Sequence, residues 1–297
     1  MPRTPPRVHP VLWAPVVLVL LALGTTGCTA RNINRPGPNT PATPTAKPVA
    51  VVVRPTPTPS RADDASDPPP PPPPTAGPAA VAALNLINLA GTGPAGSHTR
   101  TGSTAIALTF DDGPDPNLTP RILDLLKANG VKATFCLVGK QVKLYPDLVR
   151  RIAAEGHTLC DHTYSHRTDL GKQSTATMTQ ELLDTLNLIH AASPGTPVQY
   201  FRAPGGNFTP ALVAVAHSLG LTSIYWAVDP RDWDDKQFGT GARMVNHIID
   251  VVEAKTGPGA IVLSHDLKVP DTITAYATLL PWLKARFTLV CLPVVPV

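Results

Sequence analysis

Two adjacent aspartates, Asp111 and Asp112, close an apolar run and precede a Gly-Pro turn in Ile106-Ala-Leu-Thr-Phe-Asp-Asp-Gly-Pro114. Like charges side by side at a strand mouth repel one another, and the repulsion drives their pKa values apart. Such a pair calls for a nearby cation. His162 and His166, in His162-Thr-Tyr-Ser-His166, provide the means to hold one. Two imidazoles and one carboxylate make a three-ligand zinc site with an open position, and the second carboxylate is left free as a base. The chemistry implied is metal-assisted hydrolysis.

The elements that must position these residues are legible from residue 100 onward. Thr104–Phe110 reads as a buried strand. Thr119-Pro120 then offers an N-cap and an N1 proline for a helix that ends before Gly130. Val131–Val138 is a second strand and Pro146 to Glu155 a second helix, and His157–Cys160 is a short third strand running into the histidine pair. Thr177 and Gln180 have capping-box spacing and open a helix through about Ala192. Further strands are expected at Val198–Arg202, Thr222–Val228, Gly259–Ser264 and Phe287–Leu292. Helices are expected from Thr209-Pro210 to Gly220, over about Gly241–Lys255 and over Thr272–Ala285.

This alternation of continuous apolar strands with amphipathic helices predicts an α/β fold with about seven parallel strands, a distorted (β/α)-barrel. Each unusual polar cluster falls at the C-terminal end of a predicted strand: Asp111-Asp112, His162/His166, Arg202, Asp229–Trp233 and His265-Asp266. In a βα-barrel those ends share one face, where active sites lie.

Composition divides the 297 residues unevenly. Most of the 36 prolines precede residue 100, including the run Pro68 to Pro74, and aromatic residues are almost absent there after Trp13. Such a segment cannot bury enough surface to fold, so residues 29–100 read as a Pro/Thr/Ala-rich spacer, partly polyproline-II. The apolar stretch Ala79 to Ala90 is suited to a short helix near its end. Residues 1–100 carry eight Lys/Arg against three Asp/Glu, so the basic excess belongs to this arm. The remainder lacks a basic patch with interleaved aromatics, which argues against nucleic-acid binding.

At the N-terminus, Arg3 and Arg7 precede an apolar stretch from Val11 to Leu23, of signal-peptide length and short for a membrane span. It ends in Gly24-Thr-Thr-Gly27-Cys28, which is similar to a bacterial lipobox that would place a lipid on Cys28. Thr25 stands where Leu is usual, and plain cleavage near Gly27 or Ala30 is the alternative. Either route makes residues 1–28 an export signal and residues 101–297 the folded domain, at the outer face of the membrane or in the wall. Cys136, Cys160 and Cys291 would then meet an oxidising compartment. Three cysteines allow one disulfide plus one thiol, or three buried thiols, and the pairing is not legible.

Five of these clusters together resemble the polysaccharide deacetylases that share the NodB homology domain, carbohydrate esterase family 4. They are Thr109-Phe-Asp-Asp-Gly113, His162-Thr-Tyr-Ser-His166, Arg202-Ala-Pro-Gly-Gly206, Asp229-Pro-Arg-Asp-Trp233 and Leu263-Ser-His265, in that order over residues 103–292. The resemblance implies that Asp111 is the general base and that Asp112, His162 and His166 hold zinc, or another divalent metal such as cobalt. It makes Arg202 the residue that holds the base, and His265 the general acid with Asp229 as its partner. It also makes Trp233, Leu263, Pro204 and Gly205 substrate-contacting residues. Asp161 stands where the family commonly has Asn, and would orient a ligand histidine or merely add charge. His157, His190, His217 and His247 match no cluster and read as structural or exposed.

The implied activity is removal of N-acetyl groups from an envelope polysaccharide by a monomeric enzyme. Peptidoglycan is the first candidate substrate, at N-acetylglucosamine or N-acetylmuramic acid. Chitooligosaccharide and acetylxylan are the alternatives within the class. A degenerate carbohydrate-binding module is the reading outside it.

Overall fold

The computed structural model describes residues 89–294. The predicted export signal, Cys28 and most of the predicted spacer lie outside the described residues. Seven strands alternate with helices: β1 (Ile106–Asp111), α1 (Thr119–Ala128), β2 (Thr134–Leu137), α2 (Gly139–Leu144), α3 (Pro146–Ala154), β3 (Thr158–Asp161), α4 (Thr175–Ala192), β4 (Val198–Phe201), α5 (Pro210–Ser218), β5 (Thr222–Ser223), α6 (Asp235–Phe238), α7 (Ala242–Lys255), β6 (Ile261–His265), α8 (Pro270–Lys284) and β7 (Leu289–Val290).

All pairings among these strands are parallel, in the order β5-β4-β3-β2-β1-β6, and β7 pairs with the start of β1. The chain leaving β5 at one edge returns to β6 at the other. Ala227 N–H donates to Ile261 O at 2.9 Å, and Leu263 N–H donates to Val228 O at 2.9 Å. The sheet therefore curls into the predicted distorted barrel. The predicted strand Thr222–Val228 is broken as a result: only Thr222–Ser223 pairs with β4, while Val228 bridges to Val262.

Strand β1 is buried throughout, as a parallel strand covered on both faces must be. Its side chains divide with the period of two that a pleated strand imposes. Ile106, Leu108 and Phe110 join the helix-facing core, where the Phe110 ring lies 5.3 Å from Phe135 and 5.0 Å from Tyr276. Ala107 packs on the opposite side with Cys136, Cys160, Tyr200 and Ile261. Thr109 and Asp111 share that interior face with Ala107. Sheet periodicity thus points the first aspartate into the barrel.

Three sequence-based boundaries need correction. The folded part begins before residue 101: Ala90 bridges Arg100, His98 bridges Ile224, and Ser97 is fully buried. His98 and Arg100 gain partners from Ile224 and Ala260, far along the chain, so local composition concealed them. Of the stretch suited to a helix, Leu89 is not helical and Ala90 forms a β-bridge, and the rest lies outside the described residues. The long helix α4 is capped by Ser174, whose hydroxyl accepts from Thr177 N–H, one turn before the predicted box. The helix at Thr209-Pro210 is capped as predicted, with the Thr209 hydroxyl accepting from Leu212 N–H.

Cys136 and Cys160 face each other in register on β2 and β3 and form a disulfide, while Cys291 is free. The bridge closes a sequence separation of 24 residues, and a loop of this size stabilises the fold by roughly 3 kcal/mol through the unfolded chain. Replacing both cysteines by Ala should lower the urea unfolding free energy by about 2–4 kcal/mol. Unfolding midpoints that coincide for the wild type with and without reductant would contradict this.

Candidate active site

Strand β1 delivers its two terminal aspartates to different places because the chain turns sharply between them. Asp111 ends the strand and is buried, whereas Asp112 has φ 77° and is half-buried. A non-glycine residue in the left-handed region costs of order 1 kcal/mol or more and persists only where its surroundings demand it. Gly113 follows, joined to Pro114 by a cis peptide bond. A side chain at Gly113 has no room, since a Cβ there would lie 2.4 Å from Asp266 Oδ1 and 2.6 Å from its Oδ2. Asp266 itself is fully buried, with its Oδ2 accepting from the Thr119 hydroxyl at 2.5 Å. Burial pushes its carboxyl up to about 7.

Asp112 meets both predicted histidines. Its Oδ1 lies 3.4 Å from His162 Nε2 and 3.1 Å from His166 Nε2. The histidines stand on a turn following β3, not on a helix; Thr163 and His166 both have positive φ, at 66° and 58°. Asp161 Oδ1 accepts from Thr163 N–H at 2.7 Å and pins this turn. It makes no hydrogen bond to a histidine ring among the described residues.

The ring of His162 is fixed instead by Arg202 O, which lies 2.7 Å from Nδ1. A carbonyl only accepts, so Nδ1 carries the proton and Nε2 presents a lone pair toward Asp112. Asp112 Oδ1 is buried and lacks any hydrogen-bond partner. The His162 lone pair thus faces the Asp112 oxygen across 3.4 Å, with His166 Nε2 at 3.1 Å from the same oxygen. That spacing matches the ligand-to-ligand edge of a tetrahedral site with bonds of about 2.0–2.1 Å. The donor set therefore fits a divalent cation.

Arg202 reaches Asp111 from β4. Its side chain has no solvent exposure; Nη1 donates to Asp111 Oδ1 at 2.7 Å and to the Thr109 hydroxyl at 2.8 Å, and Nη2 donates to Tyr225 O at 2.9 Å. Trp226 lies against the guanidinium, 5.8 Å from ring centroid to carbon. One residue thereby orients both halves of the centre, with its side chain on Asp111 and its carbonyl on His162.

His265, at the end of β6, pairs with Asp232 and not with the expected Asp229. Its Nδ1 donates to Asp232 Oδ1 at 2.7 Å, and its backbone N–H donates to Asp232 Oδ2 at 2.9 Å. The hydroxyl of Thr272, on the first turn of α8, also donates to Oδ2 at 2.7 Å. The reversal has a local cause. Asp229 Oδ1 accepts from Arg231 N–H at 2.7 Å, closing a tight turn in which Arg231 has φ 53°. That turn carries Asp232 inward and leaves Asp229 on the cavity wall. Burial works against a charged imidazole, but Asp232 and then the two aspartates of β1 outweigh it and push His265 up to about 10.

Asp111, Asp112, His162, His166 and His265 line one cavity of about 490 Å³. Of the expected substrate-contacting residues, Gly205, Leu263 and Trp233 line it as well; Pro204 is buried outside the lining. Trp233 stands half out in solvent beneath the Arg231 guanidinium, 5.3 Å from its ring. Sequence reasoning missed Tyr225 and Trp226, stacked at 3.8 Å on the cavity wall. Gly206 makes room for them, since a Cβ there would lie 2.6 Å from the Tyr225 ring. The available signal was two adjacent aromatic residues inside the predicted strand Thr222–Val228.

Comparison with known proteins agrees with this geometry. A sequence model described as polysaccharide deacetylase matches residues 98–224. A chitooligosaccharide deacetylase of Sinorhizobium fredii is 35% identical over 198 residues, which span 63% of this chain and 88% of that protein. Among solved structures, a peptidoglycan N-acetylglucosamine deacetylase aligns with a TM-score of 0.60 at 31% identity, covering 66% of this chain and 89% of that one. A CE4 family pseudoenzyme from Bacillus anthracis aligns with a TM-score of 0.59 at 28% identity, covering 68% of each chain. With matches of this identity and extent, the chain belongs to the polysaccharide deacetylase family.

Proposed function

We propose that this protein hydrolyses N-acetyl groups from an envelope polysaccharide, with peptidoglycan as its substrate, and that it works outside the cell membrane, tethered through Cys28. The observation that carries the reading is the convergence of a held carboxylate, a three-residue ligand set and a cationic imidazole on one cavity. Asp112, His162 and His166 hold zinc in this reading. When bound, the metal supplies Lewis acidity, activating water and polarising the amide carbonyl.

The chain's own residues handle the protons. Asp111, oriented by Arg202, whose guanidinium Thr109 helps to hold, takes a proton from the attacking water. His265, protonated through Asp232, gives one to the departing amine nitrogen. The C–N bond breaks, leaving acetate and a free amine. Trp233, Leu263 and Gly205 contact the sugar and its acetyl group.

Two other readings have support. The name of the Sinorhizobium relative favours chitooligosaccharide as substrate; acetylxylan is the remaining alternative within the class. The pseudoenzyme among the structural neighbours makes a binding-only module a concrete rival. Against it stands the complete set of acid, base and ligand residues in this chain.

Asp111→Asn should retain bound zinc and lose acetate release by about 10²–10⁴-fold, whereas His162→Ala with His166→Ala should strip the metal. Metal analysis and acetate assays on peptidoglycan, chitin oligomers and acetylated xylan distinguish the readings; unchanged turnover in Asp111→Asn refutes the assigned base.

A second expectation concerns pH. His265 is raised from the usual 6.5 to about 10. Its pairing with Asp232 therefore stabilises the fold fully below 6.5, and that contribution is lost as pH rises through about 10. The acid form serves activity over the same range. Asp232→Asn removes the largest raising influence, so the alkaline limb of the acetate-release profile should move to lower pH with metal content unchanged. An alkaline limb that stays in place would detach His265 from the acid role.

A further inference from the structure

Asp229 is left without the role its position suggested, and its surroundings give it another. It lies on the wall of the catalytic cavity, which Trp226 and Trp233 also line, and is half-buried. One carboxylate oxygen, Oδ1, is committed to Arg231 N–H at 2.7 Å. The other, Oδ2, has no protein partner among the described residues. Arg231 does not neutralise it, because that guanidinium is bound to Asp234 at 2.6 Å and rests against Trp233 and Phe238. Arg202, the next cation, is consumed by Asp111, Thr109 and the Tyr225 carbonyl. No Lys or Arg is among the residues lining the cavity.

An unpaired carboxylate oxygen in a sugar-sized cavity is an acceptor for a hydroxyl. In a 1→4-linked polymer of 2-acetamido sugars, the carbon bearing the acetamido group has two ring neighbours. One carries the glycosidic oxygen, which has no hydrogen to give. The other carries the 3-hydroxyl. In muramic acid that hydroxyl is replaced by an ether bearing a carboxylate, so the donor is gone and a second negative charge arrives. The missing donor would leave the Asp229 oxygen desolvated and unpaired, which disfavours such a group.

We propose that Asp229 is the specificity-determining residue of this site: it accepts a hydrogen bond from the 3-hydroxyl of the sugar being deacetylated, and so admits N-acetylglucosamine and refuses N-acetylmuramic acid. The proposal rests on the deacetylase reading above and narrows its substrate to the neutral amino sugar. The competing account is that Asp229 merely closes the Asp229–Arg231 turn. Asparagine separates the two, since its carbonyl oxygen can still accept from Arg231 N–H while its other atom becomes a donor.

The test is binding of a β-1,4-linked N-acetylglucosamine tetrasaccharide to zinc-loaded protein by calorimetry. It compares Asp111→Asn with Asp111→Asn/Asp229→Asn, with the melting temperature as a check on the turn. The second variant should bind roughly ten- to hundredfold more weakly, with little change in melting. Mass spectrometry of digested peptidoglycan should show the wild type removing acetyl groups from glucosamine and leaving muramic acid intact. Equal binding by the two variants, or deacetylation of both sugars at similar rates, overturns the proposal. Absence of acetate release from every glycan would instead overturn the deacetylase reading, while the binding difference continues to judge Asp229.

Discussion

The site depends on one guanidinium removed entirely from water. Burying Arg202 is costly unless its charge is paired and its N–H groups are directed; Asp111 pairs the charge, and Asp111, Thr109 and the Tyr225 carbonyl engage Nη1 and Nη2. Those partners come from β1 and from the segment leaving β5, so the ion pair joins distant parts of the barrel through its interior. Removing either charge would strand the other at about 3–5 kcal/mol. The same residue's carbonyl fixes the tautomer of His162. Placement of the base and orientation of a metal ligand are therefore two consequences of where one residue sits.

The two aspartates of β1 show how a backbone separates neighbouring groups. Strand pleating sends Asp111 to the inner face with Thr109 and Ala107, while the left-handed turn at Asp112 swings the next carboxylate toward His162 and His166. Asp266 under Gly113 leaves that turn no space for a side chain. Strain at Asp112 is thus confined to the point where two like charges must face different partners.

A parallel arrangement links acid and wall across the cavity. Asp232 accepts from the imidazole and backbone of His265 and from Thr272, so it is rigidly oriented and fully used. Asp229, three residues earlier, satisfies one oxygen locally and offers the other to the cavity. Identical side chains on one turn therefore do different work, because one is enclosed by α8 and the other is left at the rim.

Much was legible from local pattern. Apolar runs punctuated by Gly and Pro located β1, β2, β3, β4 and β6, and their ends named Asp111, Asp112, His162, His166, Arg202 and His265 as the groups that would meet. These readings succeed because strand burial and helix capping are enforced residue by residue within a few positions. Three matters were decided only by the tertiary structure: which aspartate holds His265, which cysteines pair, and where the folded chain begins. Each depends on a partner far away in sequence. Thr272 and His265 lie at least 33 positions from Asp232, β3 brings Cys160 beside Cys136, and Ile224 receives His98. Residue types and spacing determined what chemistry the chain carries. Loop direction and strand register, set by contacts between distant segments, decided which copy of each residue performs it.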